Sequence, residues 1–264
     1  MSDQPTTLRQ RWADGHATLG CWLSAANTVS AEIAGRSGFD YVCIDTQHGA
    51  VDYQASVSMI QAIELGGGIP IARVPWNDPG IIGKMLDAGC HGVIVPMVNT
   101  VEQATAVVRA CRYAPDGSRS YGPTAVAPRH DGYLDWARDT VAVIPMIETT
   151  EAISNLDDIL SVPGIDAIYV GPADLSLTLG LPPGNNDGEA AFDEALATIV
   201  AACERHGVIA GMHSTGSLAP RRLEAGFKML TVASDVLALR GGFADELATA
   251  RSGDTGATGS GAIY

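Results

Sequence analysis

Short apolar segments alternate with longer amphipathic segments along nearly the whole chain, and this alternation restricts the possible folds more than any other feature. The apolar segments show little polar alternation, which is typical of strands buried on both faces of a parallel sheet. The predicted strands cover residues 19–24, 41–46, 69–75, 92–98, 141–149, 165–171, 207–213 and 228–235. Predicted helices include residues 53–65, 191–206 and 243–251.

Eight strand–helix units in a chain of 264 residues favour a closed (β/α)8 barrel, the TIM-barrel fold, over an open doubly wound sheet. The open alternative predicts a G-x-G-x-x-G motif after the first strand, and the sequence there, "GCWLSAANT", has none. We therefore expect an α/β protein with one domain over residues 1–251. Residues 252–264 are of low complexity and are predicted to form a disordered tail.

The connection at residues 113–140 is longer than a normal loop between a helix and a strand. Long connections in compact domains are often functional, so this segment is predicted to contribute to a site.

The composition excludes two classes of partner. Acidic residues outnumber Lys and Arg by 30 to 16, and such a surface repels nucleic acid and anionic membranes. A local cluster of positive charge can still bind a small anion.

No apolar run reaches the length of about 20 residues that a membrane span requires. Most of the five scattered cysteines are predicted to be reduced core thiols, which indicates the cytoplasm.

Polar residues follow most of the predicted strands. In a barrel of this kind, the carboxyl ends of the strands build the active site. Each such residue by itself is more often a helix cap or a loop residue with satisfied hydrogen bonds, so the prediction depends on their convergence. The strand-end residues are Asp45, His48, Arg73, Glu148, Asp174, His213, Ser234 and Asp235.

Arg73 lies among apolar residues, in "IARVP". An unpaired buried charge costs several kcal/mol, so this guanidinium is expected to have an anion beside it, either a neighbouring carboxylate or a ligand.

Glu148 and Asp174 follow adjacent predicted strands. Two carboxylates in a half-buried site repel each other unless a cation lies between them, and oxygen ligands suit Mg²⁺ or Mn²⁺. The segment "GPADLS" adds the main-chain N–H groups of Ala173 and Asp174 at a predicted helix start, where a carboxylate can bind. Together with Arg73, these groups predict a site for a small 2-oxo acid.

The chain has only two lysines, Lys84 and Lys228. Lys84 falls within a predicted helix, and Lys228 falls at the start of the eighth strand, away from the predicted site. A Schiff-base lysine is therefore not expected, and stabilisation of a carbanion would depend on a metal.

Five segments occur in order along the chain: "FDYVCIDTQHG", "ARVPWNDPGIIGKMLDAGCHGVIVPMV", "CRYAPDGSRSYGP", "MIETTEAISNLDDI" and "IYVGPADLSLTLG". Together they resemble the HpcH/HpaI aldolase family, whose members are metal-dependent pyruvate aldolases. The resemblance covers nearly all of residues 18–250.

The resemblance implies a pyruvate-type barrel in a homo-oligomer, a trimer or a hexamer, with the final helix exchanged between subunits. It also implies a divalent metal (Mg²⁺, Mn²⁺ or Co²⁺) held by Glu148 and Asp174, and no nucleotide. His48, oriented by Asp45, would be the acid/base. Substrate-binding positions implied in the same way are Arg73, Gly171, Ala173, Asp174, Arg119 and Asp87, the last approaching a neighbouring subunit's site.

Two positions depart from the family pattern. The family often has Glu before the histidine and Gln two residues before the metal-binding Glu, where this chain has Gln47 and Met146.

The sequence thus predicts an aldolase that enolises pyruvate or hydroxypyruvate and adds it reversibly to an aldehyde, so that it also cleaves 4-hydroxy-2-oxo acids. The same enolate chemistry permits decarboxylation of oxaloacetate. Two alternatives remain: a CoA-thioester lyase of the citrate-lyase type, for which no basic patch is evident, and a non-catalytic barrel that binds oxo acids.

Overall fold

The computed structural model describes residues 6–252 and contains one parallel sheet of eight strands. The strands are β1 (Thr18–Leu23), β2 (Tyr41–Asp45), β3 (Pro70–Arg73), β4 (Gly92–Val95), β5 (Ala142–Pro145), β6 (Ala167–Val170), β7 (Ile209–His213) and β8 (Met229–Ser234). Their order in the sheet is β5-β4-β3-β2-β1-β8-β7-β6.

The sheet closes between β5 and β6. An isolated parallel bridge joins Met146 to Tyr169, and the main-chain N–H of Ile147 donates to the carbonyl of Tyr169 at 3.0 Å. The predicted (β/α)8 TIM-barrel fold is therefore confirmed, and the carboxyl ends of all eight strands lie at the same end of the barrel.

Helices connect the strands and surround the barrel. They are α1 (Leu8–Ala13), α2 (Thr28–Arg36), α3 (Tyr53–Leu65), α4 (Pro79–Ala88), α5 (Val101–Cys111), α6 (Tyr133–Thr140), α7 (Thr150–Ser154), α8 (Leu156–Leu160), α9 (Pro172–Thr178), α10 (Ala190–His206), α11 (Ala219–Glu224) and α12 (Asp235–Ser252).

Local sequence explains where several of these helices begin. Asp78 accepts hydrogen bonds from the N–H groups of Gly80 and Ile81, and Pro79 occupies the first helical position of α4. Asn27, Asp52 and Thr149 cap α2, α3 and α7 in the same way. Such side chains accept from N–H groups that have no partner within the helix.

Two apolar layers form the core. The first lies inside the barrel and includes Trp22, Tyr41, Ile71, Ile144 and Tyr169. The second lies between the strands and the helices, and it is mostly aliphatic. All five cysteines are buried and unpaired, as predicted.

The last helix differs from its prediction. It was expected at residues 243–251, after the pair Gly241–Gly242, but it begins at Asp235 and continues through both glycines. The carboxylate of Asp235 accepts hydrogen bonds from the N–H groups of Ser24, Ala25 and Val236, so the helix start is anchored to the end of β1. This anchoring compensates for the poor helix propensity of the glycines.

The long connection at residues 113–140 contains a short 3-10 helix (Ala127–Arg129) and α6. Within residues 6–252, no helix is both long enough and apolar enough to cross a membrane. Apart from Ser252, the predicted disordered tail lies outside the described residues.

Candidate active site

The strand-end residues point into the barrel because side chains alternate between the two faces of a strand. The interior residues Cys43, Ile71, Ile144 and Tyr169 are each two residues before the positions Asp45, Arg73, Met146 and Gly171. The same alternation therefore directs these four positions inward, and on β7 it directs His213 inward in register with Ile209. Glu148 lies past the ladder of β5, and its contacts with Met97 and Gly171 show that it also faces the site.

Asp45 and Arg73 occupy paired positions on β2 and β3. The guanidinium donates from Nε to Asp45 Oδ1 at 3.0 Å and from Nη2 to Oδ2 at 2.7 Å. Burial by itself raises the pKa of Asp45, but the hydrogen bonds and the charge of Arg73 outweigh it, so the net pKa lies below its usual value. The anion expected beside Arg73 is therefore a carboxylate of the protein.

Trp22 holds the other side of this guanidinium. The carbon Cζ of Arg73 lies 4.9 Å from the centre of the indole ring, a cation–π contact. The indole also stacks on Tyr169, with 5.7 Å between ring centres. Sequence reasoning missed Trp22 and Tyr169 as site residues. Their inward register is the signal that could have found them.

Glu148 is only 2% exposed, and its two carboxylate oxygens have different surroundings. Oε1 accepts from the main-chain N–H of Met97 at 2.8 Å, whereas Oε2 is buried without a hydrogen-bond partner among the described residues. Burial, with a smaller effect from the charge of Asp174, raises the pKa of Glu148 to about 7. A buried carboxylate oxygen without a partner is costly, so Oε2 requires a cation or a proton.

Sequence reasoning also did not identify Met97 as a site residue. Its φ of 56° places it in the left-handed region, which is rare for a residue other than glycine. This conformation accompanies the donation of its N–H to Glu148. Strained backbone of this kind is concentrated at functional sites.

Gly171 keeps the space beside Glu148 open. A Cβ at this position would overlap Oε2 of Glu148 and would lie 3.0 Å from the terminal methyl group of Met146. Gly171 is the N-cap of α9, and Ala173 and Asp174 lie in its first turn. The N–H groups of a first helical turn have no acceptor within the helix, so both are available to an anion.

These features fit a divalent cation. Glu148 provides an unpartnered oxygen, Asp174 is half-buried and close enough to influence the pKa of Glu148, and Gly171 leaves room. Two carboxylate ligands with open positions are typical of Mg²⁺ and Mn²⁺ sites that also bind a substrate. Among residues 6–252, no cluster of three or more His, Cys, Asp or Glu side chains is arranged to hold a metal.

His48 lies at the rim of the barrel and is exposed to solvent. The sequence predicts that Asp45 orients the imidazole of His48, whereas in the structure Asp45 bonds to the main chain of this turn. Oδ1 of Asp45 accepts from the main-chain N–H groups of Gln47 and His48, at 3.1 and 3.3 Å. Asp45 thus fixes the turn that carries His48, and no hydrogen bond within residues 6–252 joins the His48 ring to it.

Asp87 and Arg119 are paired with each other. Nη2 of Arg119 donates to Asp87 Oδ1 at 2.6 Å and to the hydroxyl of Tyr133 at 3.0 Å. Asp87 is the second-last residue of α4, a helix that returns towards the amino ends of the strands. The pair therefore lies at the opposite end of the barrel from Glu148, and the structure does not bring it to the site of the same subunit.

The two remaining strand-end candidates have different surroundings. Asp235 is a structural residue that links β1 to α12, as described above. His213 is half-buried inside the barrel and packs edge-on against Trp22, with 5.2 Å between ring centres. Burial, followed by the charge of Arg73, lowers the pKa of His213 to about 4.

Comparison with known proteins shows which family the chain resembles. The sequence profile described as HpcH/HpaI aldolase/citrate lyase matches residues 18–240. A hydroxypyruvate/pyruvate aldolase of Rhizorhabdus wittichii is 41% identical over 250 residues, which is 93% of this chain and 98% of the relative. A 4-hydroxy-2-oxo-heptane-1,7-dioate aldolase of Salmonella dublin is 36% identical over 256 residues, 95% of this chain and 96% of the relative.

Among solved structures, an HpcH/HpaI aldolase/citrate lyase family protein from Burkholderia cenocepacia J2315 superposes with a TM-score of 0.85 at 31% identity. The alignment covers 92% of this chain and 98% of that one. The likeness thus extends over nearly the full length of both chains.

Proposed function

Because this chain belongs to the HpcH/HpaI aldolase/citrate lyase family, we propose that it is a divalent-metal-dependent aldolase for 2-oxo acids. It joins pyruvate or hydroxypyruvate to an aldehyde and, in reverse, cleaves 4-hydroxy-2-oxo acids. The relatives at 41% and 36% identity carry names for this chemistry. The structural observation that carries the proposal is the buried, unpartnered Oε2 of Glu148 next to the space left by Gly171.

Glu148 and Asp174 would hold the cation, which when bound supplies Lewis-acid stabilisation of negative charge on the 2-oxo oxygen. Arg73 contributes a second positive charge to this oxygen. Asp45 and Trp22 hold the guanidinium on two sides, so little side-chain entropy is lost when the substrate binds. The free N–H groups of Ala173 and Asp174 bind the substrate carboxylate.

His48 moves the proton of the aldol hydroxyl. In the cleavage direction it removes this proton as the carbon–carbon bond breaks, and in the addition direction it returns the proton to the new hydroxyl. His48 is exposed to solvent at the rim, where it can meet an aldehyde arriving from solution, and its turn is held by Asp45.

The positions of the lysines support an enolate without a Schiff base. Lys84 lies on α4 with its Nζ 4.3 Å from the ring centre of Tyr53, and Lys228 precedes β8 at the amino end of the barrel. An enolate formed in this way would also permit decarboxylation of oxaloacetate as a side activity.

We also propose that the protein is a homo-oligomer, a trimer or a hexamer, with α12 exchanged between subunits. This helix exposes five large apolar side chains: Val236, Leu237, Leu239, Phe243 and Leu247. Burial of such a surface by a second copy would be strongly favourable. In the same assembly, the Asp87–Arg119 pair would approach the site of a neighbouring subunit. The five unpaired cysteines support a reducing compartment, the cytoplasm.

Exchange of deuterium from solvent into the methyl group of pyruvate tests the enolisation step without an aldehyde. We expect exchange by the Mn²⁺-loaded protein and none after treatment with EDTA. His48→Ala should abolish aldol turnover and retain Mn²⁺ binding in calorimetry, whereas Glu148→Ala should abolish both. Full turnover in metal-free protein would contradict the mechanism. Metal and pyruvate binding without exchange would favour a non-catalytic barrel.

The oligomer is tested separately by light scattering during size-exclusion chromatography. A chain that ends after Val236 keeps Asp235 and its hydrogen bonds to Ser24 and Ala25 and should lose the assembly, and a monomeric full-length protein would contradict the proposed exchange.

A further inference from the structure

His213 is the only residue of the barrel interior, within residues 6–252, that places an imidazole beside Arg73. It is the last residue of β7, and its ring packs edge-on against Trp22 at 5.2 Å. The guanidinium of Arg73 lies over the same indole at 4.9 Å. Both groups thus lie against one indole ring, and Arg73 is close enough to add to the effect of burial in lowering the pKa of His213. In the proposed function, Arg73 binds the 2-oxo acid, so His213 lies next to the bound substrate.

The hydrogen bonds of Tyr169 determine which nitrogen of His213 carries the proton. The Tyr169 hydroxyl donates its single proton to Oγ1 of Thr231 at 2.6 Å. Towards Nδ1 of His213, at 3.5 Å, this hydroxyl can therefore only accept. From this contact we assign the proton of the neutral imidazole to Nδ1, which leaves a lone pair on Nε2.

The imidazole stays in this neutral form near pH 7 because burial and the charge of Arg73 hold its pKa at about 4. Among the described residues, the ring makes no hydrogen bond other than the one to Tyr169. Nε2 is thus a free acceptor in a site where the groups assigned to the carboxylate and the 2-oxo oxygen of the substrate are donors or cations.

A free acceptor discriminates between the two donor substrates. Pyruvate has a carboxylate, a carbonyl and a methyl group, and none of them can donate a hydrogen bond. Hydroxypyruvate has one additional group, the hydroxyl on the carbon that becomes nucleophilic, and this hydroxyl can donate. Sites that make a hydrogen bond to a substrate hydroxyl reject the analogue without it, because their own polar group is then left unpaired.

We propose that His213 determines substrate specificity, with Nε2 accepting a hydrogen bond from the 3-hydroxyl group of 3-hydroxy-2-oxo acids. Tyr169 is a positioning residue that fixes the tautomer of His213. The inference rests on the proposed aldolase function for the identity of the substrates, and it adds which of the two donors the site prefers and why.

The test compares hydroxypyruvate with pyruvate, with glyceraldehyde as the common aldehyde, in the Mn²⁺-loaded protein. We expect His213→Leu to lower the ratio of kcat/KM for hydroxypyruvate to that for pyruvate by about tenfold or more, the effect of one lost hydrogen bond. His213→Gln retains an acceptor and should restore part of the ratio. Tyr169→Phe should lower the ratio by a smaller factor, because the second tautomer becomes accessible.

His206→Leu is the matched control, since His206 lies at the end of α10 and pairs with Asp157 at 2.9 Å, outside the barrel. It should leave the ratio unchanged. An unchanged ratio in His213→Leu, or equal loss for both substrates with no recovery in His213→Gln, would overturn the inference.

Binding of the two acids measured by calorimetry separates this inference from the proposed function. If the wild-type protein turns over neither acid but binds hydroxypyruvate more tightly, and His213→Leu removes this preference, the inference stands and the aldolase proposal fails. If neither acid binds, or both bind equally, the inference fails as well.

Discussion

Asp45 and Arg73 form a two-point ion pair between neighbouring strands, with Nη2 of Arg73 at 2.7 Å from Oδ2 of Asp45. The side chains are only 3% and 12% exposed, so each charge depends on the other for its stabilisation. The pair occupies matching positions of β2 and β3 at the carboxyl ends of these strands. The pair therefore stabilises the barrel and at the same time holds the guanidinium of Arg73 in the position where it is proposed to bind the substrate.

Asp45→Asn should destabilise the protein by about 3 kcal/mol, because it leaves a largely buried guanidinium without its counter-charge. Urea unfolding measures this change. The double variant Asp45→Asn/Arg73→Met should recover part of the loss, since it removes both charges. Glu32→Gln is the control: its partner Arg36 is 58% exposed, and the loss there should be below about 1 kcal/mol. Equal losses in the two single variants would refute the role assigned to burial.

Gly171→Ala should weaken Mn²⁺ binding by at least about tenfold and leave the fold intact. The backbone of Gly171 has φ −91° and ψ 101°, which any residue can adopt, so the effect arises only from overlap with Glu148. Calorimetric titration with Mn²⁺ measures the affinity. Gly83→Ala provides the comparison: no atom lies within 4 Å of the added Cβ, and this change within α4 should stabilise by up to about 1 kcal/mol. Unaltered Mn²⁺ affinity in Gly171→Ala would show that the space beside Glu148 is not part of the proposed metal site.

Arg222 anchors the connection between α9 and α10. Its guanidinium donates to Asn185 and, at 2.6 Å, to Asp187, and its side chain is 3% exposed. The adjacent Asn186 donates to Ser176 of α9 at 2.8 Å, which connects this loop to the helix that carries Asp174.

Arg222→Met should therefore destabilise the protein by about 3 kcal/mol and expose the loop to protease, because Asp187 loses its buried partner. The neighbouring Arg221 also pairs with Asp187 but is 56% exposed, so Arg221→Met should cost less than about 1 kcal/mol. Limited proteolysis and urea unfolding of both variants check the contrast. Similar behaviour of the two would show that burial does not decide the role of Arg222.

His213 should make folding stability depend on pH. Its pKa is about 4 in the folded protein and about 6.5 when unfolded, so the unfolded chain binds more protons between these values. The stabilisation is complete above about pH 6.5 and is lost as the pH falls towards 4. Relative to His213→Gln, the wild-type protein should lose up to about 3 kcal/mol between pH 7 and pH 4. Chemical unfolding at each pH measures the difference, and parallel curves for the two proteins would contradict a buried neutral imidazole.

Most of the fold was predictable because strands that are buried on both faces appear in the sequence as short, uninterrupted apolar segments. This pattern can be recognised without knowledge of the neighbouring elements. Every predicted strand except the first was longer than the observed one: the segment expected over residues 141–149 forms a ladder only over Ala142–Pro145. Beyond Pro145 the chain makes only the single bridge of Met146 to Tyr169. Glu148 thus lies past the regular strand, where its backbone no longer belongs to the ladder.

The final helix was predicted less well. Its start depends on the hydrogen bonds of Asp235 to Ser24 and Ala25, more than 200 residues earlier in the chain. The poor helix propensity of Gly241 and Gly242 favours a helix that starts after them. A contact between residues so far apart in the chain cannot be predicted from the local sequence.

The sequence by itself determined the type of fold and the chemical types of the site residues, because strand periodicity and the cost of burying a charge are local properties. The tertiary structure alone decided which of these residues contact one another in the site. It paired Asp45 with Arg73, left one oxygen of Glu148 without a hydrogen bond, and brought His213 against Trp22 from strands far apart in the chain. Closure of the barrel produces these contacts, since it brings the ends of all eight strands to one small volume.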